Sequence, residues 1–154
     1  MATTVREQII ASIATNLGNV TTANGYENTL VSVQRFMQSG LSIADVPCAI
    51  VNFDEERKVQ GPTDRADCDL RVSIDVYAVH DEDAVSGYSA TLIDSLAGDI
   101  EKCVIGSPPS LAVTTDIESV IPFRLAEGQP FVGATISVKI TYRHDVTNPY
   151  TARA

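Results

Sequence analysis

The chain is short of the residues that most often build catalytic and metal centres, with three cysteines and two histidines in 154 residues. Cys48, Cys68 and Cys103 are odd in number, lie 20 and 35 residues apart and form no CxxC pair, so neither a disulfide framework nor a zinc knuckle is expected. Phosphate-binding loops are missing too. There is no GxxxxGK and no GxGxxG, and the nine glycines are scattered. Basic residues are scarce: 11 Lys and Arg against 20 Asp and Glu leave a formal net charge of −9. Such a surface repels phosphate and does not grip nucleic acid by counterion release, although an acidic wall that DNA slides past is compatible with it. The longest apolar stretch, Val46 to Val51, falls far short of the ~20 residues that span a bilayer. Met1 is followed by Thr3, Thr4 and Arg6 and not by an apolar signal core, so the expectation is a soluble chain, neither anchored nor exported by a signal peptide.

What is present is a 44% hydrophobic composition in a length that makes one domain with a sizeable core. Val5, Ile9, Ile13 and Leu17 recur every four residues and predict an amphipathic helix from Thr4 to Leu17. Thr4 and Glu7 form a capping-box pattern at its start, and Gly18 is read as a left-handed stop. Thr29 to Met37 and Val46 to Phe53 read as strands. Asp54 to Asp69, polar except for Val59, reads as a long loop or hairpin arm. Leu70 to His80 alternates apolar and polar residues and predicts a half-buried strand. From Ser86 to Ile105 the period becomes helical, with Leu92, Leu96 and Ile100 on the buried side, Asp94, Asp99, Glu101 and Lys102 toward water, and Gly98 taken as a point of close packing. Leu111 to Leu125 and Phe131 to His144 predict a β-hairpin. Asp145 to Ala154 is an aperiodic tail that docks or frays. The order predicts an α+β fold: a mixed, mainly antiparallel sheet with two helices packed on one face.

Candidate chemistry is sparse. Asp75 and Tyr77 share one strand face while His80 points to the other, so they do not converge as a triad. His80 and His144 both end strands and read as solvated histidines. Cys48 lies in an apolar run with no base nearby in sequence and Cys103 at a helix border, and both read as structural; Cys68, in the polar arm, reads as an exposed loop cysteine, and none of the three neighbours a base that would activate it. No catalytic residue, cofactor or metal ligand is assigned. The run Glu55, Glu56, Arg57, Lys58 carries both signs and suits either a solvated loop or a head-to-tail contact between copies.

The opening VREQIIASIATNL, the strand LRVSIDVYAVH, the helix TLIDSLAGDIEKCV and the closing FVGATISVKITYRHDVTNPY together resemble the tail terminator (tail completion, or minor tail) proteins of long-tailed bacteriophages. The resemblance covers nearly the whole chain and is most marked from Tyr142 to Tyr150. It implies a structural virion protein assembled in the host bacterial cytoplasm: a hexameric ring at the head-proximal end of the tail that stops tube polymerisation and forms the joining surface for the head connector. The implied partners are further copies of the chain, the tail tube protein, a head-connector or neck protein and, in addition, sheath protein, with DNA passing through the channel and no membrane involved. Glu55, Glu56, Arg57, Lys58, Arg143, Asp145 and Tyr150 are the candidate subunit-interface residues. Another head-tail joining protein and a small α+β ligand-binding module are the alternative readings.

Overall fold

A computed structural model describes residues 1–36, 42–80, 88–124 and 130–154. Its elements run α1 (Val5–Leu17), β1 (Ser32–Gln34), β2 (Cys48–Gln60), β3 (Arg65–Val79), α2 (Tyr88–Gly106), β4 (Ala112–Arg124), β5 (Phe131–Asp145) and β6 (Asn148–Ala152). The strands form one sheet in the order β1-β2-β3-β5-β4, with β6 paired to the end of β5. Only the short β1 is parallel to its neighbour β2. The fold is therefore the expected α+β arrangement, with β1 shorter than the sequence suggested and the C-terminal tail folded back as a strand.

The helices form where the apolar period places them. Thr4 Oγ1 accepts the Glu7 N–H at 3.1 Å and caps α1. The reciprocal half of the box is absent, because the Glu7 carboxylate takes Arg35 at 2.7 and 3.0 Å. Gly18 is not a left-handed stop: its φ is −61°, and its N–H continues the helical pattern to the Ala14 carbonyl at 3.2 Å. In α2, whose expected first residues Ser86 and Gly87 lie outside the described residues, Gly98 faces open space and not a packing contact. Asp99 does not face water either. It is 3% exposed and accepts the backbone N–H groups of Glu27 and Asn28 at 3.1 and 2.8 Å, which pins the loop after α1 onto α2.

Both helices lie on one face of the sheet. Ile9, Ile13 and Leu17 of α1 and Leu96, Ile100 and Val104 of α2 meet Leu70, Val72, Ile74 and Val76 of β3 and Ala134, Ile136, Val138 and Ile140 of β5. Each fully buried large aliphatic side chain there contributes about 1.5–3 kcal/mol. β3 and β5 pair from Arg65 opposite Asp145 to Val79 opposite Phe131, which fixes one face as core along both strands. On the other face Val46, Cys48, Ile50, Tyr77 and Phe131 make a small second cluster. Tyr77 and Phe123 meet edge-on at 5.3 Å across Gly133, where a Cβ would lie 2.5 Å from the Phe123 ring and 2.6 Å from the Val76 carbonyl. Glycine is the residue that allows this approach.

Candidate interaction surface and the polar cluster behind it

The segment from Asp54 to Asp69 is the end of a β-hairpin held within the sheet, with β3 paired on both sides, and not a loop. β2 and β3 stay paired through Gln60 opposite Ala66, and the turn is closed by the Gly61 N–H donating to the Arg65 carbonyl at 2.6 Å. Thr63 and Asp64 take left-handed backbone conformations at φ 58° and 54° to reverse the chain. The Val146 N–H donates to the Asp64 carbonyl at 2.8 Å, so the β2–β3 turn and the β5–β6 turn form one end of the molecule.

A bulge at Asp54 decides which way the charged run points. The β2–β3 register shifts between Phe53 and Glu55, so the alternation changes phase. Glu55, Arg57 and Val59 stand on the open face of the sheet, while Glu56 and Lys58 turn to the face that carries the helices. On the open face Arg57 Nε donates to Glu55 Oε1 at 3.0 Å, Arg143 Nε donates to Asp67 Oδ1 at 3.1 Å, and Lys139 lies 3.7 Å from Asp69. Asp145 accepts from Arg153 at 2.5 Å and from the Thr147 N–H and hydroxyl, and Arg153 foremost holds its carboxyl down at about 2. Tyr150, on β6, is half exposed.

Glu56 sits in a different environment, with 4% of its side chain exposed. Burial alone would raise its pKa. The Tyr142 hydroxyl donates to Oε1, Lys58 Nζ lies 3.3 Å from Oε2 and Arg6 NH1 donates to Oε2 at 2.7 Å; together they outweigh burial and hold the carboxyl below its ordinary value. The other side of the cluster is His144, 3% exposed. Its Nδ1 lies 2.6 Å from the Asp145 carbonyl, which only accepts, so Nδ1 carries the hydrogen and Nε2 accepts from Lys58 Nζ at 3.0 Å. Burial, then the Glu56 carboxylate, push the Tyr142 hydroxyl upward. The cluster ties α1 through Arg6 to β2 and to β5 at the hairpin end of the sheet.

Of the seven expected interface residues, Glu55, Arg57 and Arg143 stand on the open face at this end of the sheet, Asp145 is mostly covered by its own partners, and Tyr150 is half exposed on β6. Glu56 is withdrawn into the cluster, and Lys58, partly exposed, is engaged there on two sides. His144 is not the solvated strand-end histidine that the sequence suggested, and Cys68 is not an exposed loop cysteine: its residue is 2% exposed within β3. Burial pushes the Cys48 thiol up to about 11 and raises Cys68 and Cys103 as well. His80 is half-buried, with Nδ1 2.7 Å from Ser89 Oγ at the edge of a cleft between α2 and β4. Among the described residues no group of three or more His, Cys, Asp or Glu side chains is placed to hold a metal ion. Sequence reasoning missed Arg6, Tyr142 and His144 as members of one cluster. The available signal was the alternation of Tyr142 and His144 with Thr141 and Arg143, which extends the core face of β5 to the strand's end. No known family model and no curated protein matches the chain.

Proposed function

We propose that the chain is a structural component of the head-proximal end of a long phage tail. Six copies form a ring that caps the tube, ends its growth and presents a joining surface to the head connector. The observation that carries this reading is the charged end of the β2–β3 hairpin: it stays paired to its turn, is braced from behind by a buried charge cluster and presents exposed Arg57 and Val59 with Arg143 beside them. A hairpin braced at its root and charged at its tip suits contact with another subunit. In this reading the protein carries out no covalent chemistry and needs no cofactor, and its acidic balance lets DNA pass without being held.

The test adds the purified protein to polymerising tube protein and measures tube lengths by electron microscopy. Arrested growth with a ring at one tube end is the expected result. Unaffected tube lengths with unoccupied ends would refute the proposal. One feature favours the second reading, a ligand-binding module: the cleft beside His80 and Ser89, about 370 Å³ and mainly apolar. A saturable small-molecule ligand with no oligomer formation would decide for it.

A further inference from the structure

The groove between α2 and β4 consists of two adjoining hollows of about 370 and 390 Å³ that share Ala90, Ile93 and Pro122. It exists because the buried stripe of α2 covers β3 and β5 but leaves the helix-side residues of the edge strand β4 short of cover, so that Val120 is 38% exposed. Its rim is acidic. Asp94 is exposed and makes no ion pair among the described residues, and the sequence holds no Lys or Arg between Arg71 and Lys102. At the opposite end of the sheet stands its complement. Val59, 68% exposed, is the large aliphatic residue of the hairpin tip, and Arg57, with 72% of its side chain exposed, precedes it on the same face. β3 separates the two, running from Ala66 beside the tip to Val79 beside the groove, so tip and groove cannot meet within one chain.

We propose that the groove receives the β2–β3 hairpin tip of a second copy of this chain, with Val59 inserted between α2 and β4 and Arg57 facing Asp94. This rests on the ring reading and names the two surfaces that meet in it. Because the surfaces are unlike, each one-way contact leaves a free tip and a free groove, and addition continues until a ring closes. The apolar insertion supplies affinity, and the Arg–Asp pair sets orientation.

Disulfide trapping tests the contact. Cys48, Cys68 and Cys103 are all 2% exposed or less, so thiols introduced by Val59→Cys and Ala90→Cys are the accessible ones. Copper phenanthroline with dioxygen as electron acceptor removes two protons and two electrons per pair as the S–S bond forms. Expected are a covalent ladder reaching six copies from the double variant, and linked dimers from a mixture of the two single variants. Linking within either single variant would show contact between like surfaces and overturn the inference. A double variant that light scattering shows as hexamers but that does not link would overturn the inference and leave the ring standing. One that stays monomeric at every concentration, even with tube ends supplied, would overturn both. Val59→Asp is expected to weaken association about tenfold or more with an unchanged melting temperature; association within twofold of the parent protein would also count against the insertion.

Discussion

Replacing Glu56 by Gln is the sharpest probe of the cluster that braces the arm. The side chain keeps its shape, but one oxygen becomes an NH2 group among donors. Tyr142 donates to one carboxylate oxygen and Arg6 and Lys58 approach the other, so an NH2 turned toward the cations meets donors, one turned toward Tyr142 forces the hydroxyl to become an acceptor, and either way the negative charge that holds Arg6 and Lys58 is gone. Hydrogen bonds to a charged group are worth about 1.5–3 kcal/mol each, and breaking a buried pair about 3–5 kcal/mol. Arg6 and Lys58 are 33% and 40% exposed, so solvent screens their share. A net loss of about 2–3 kcal/mol remains, or roughly 5–10 °C in melting temperature for a chain of this size. The pH dependence follows from the lowered carboxyl: Glu56 adds stability above the unfolded-state value of about 4.3, and that stability is lost as pH falls through the lower folded-state value. Urea titrations at pH 7 and pH 3 should therefore show a variant that is weaker at neutral pH and less sensitive to acid than the parent. Tyr142→Phe is expected to cost about 1–2 kcal/mol on its own and to be non-additive with Glu56→Gln. A Glu56→Gln protein within 0.5 kcal/mol of the parent at pH 7, with the same acid sensitivity, would refute this account of the arm root.

Asp99→Ala should cost about 1–3 kcal/mol in thermal unfolding, because it removes the charged acceptor of the Glu27 and Asn28 N–H groups. Gly133→Ala forces a Cβ against the Phe123 ring and the Val76 carbonyl, and a loss of about 2 kcal/mol or more is expected from urea midpoints. The buried cysteines, with thiols raised by burial, should resist a chromogenic disulfide reagent at pH 8 until denaturant releases all three.

The sheet and both helices were legible because β3, β5 and the two helices each bury one face, which leaves a period of two or of about four in the sequence. The arm was less legible. Its cross-strand pairs Arg57–Asp69 and Val59–Asp67 are mostly polar, and the bulge at Asp54 breaks the alternation where a strand would have been read on. Ala66 and Cys68, alternating with Asp67 and Asp69, are the trace of the strand that composition concealed. The buried charge cluster draws on α1, β2 and β5, as much as 138 residues apart between Arg6 and His144, and no local pattern records such a meeting. Asp99 is a nearer miss: three residues after Leu96, it borders the buried stripe of α2, and what makes it inward is a loop from far upstream.

The ring is the central claim, and the mass of the particle in solution tests it most directly. Six copies at −9 each carry −54 of formal charge, so repulsion opposes assembly at low salt, while a Debye length of about 10 Å at 0.1 M screens it and leaves close contacts intact. Light scattering across a series of salt and protein concentrations should move from the 16.5 kDa monomer toward six times that mass, and Arg57→Glu should shift the transition to higher concentration without lowering the melting temperature. A monomer at every salt and concentration, with tube ends present, would contradict the ring.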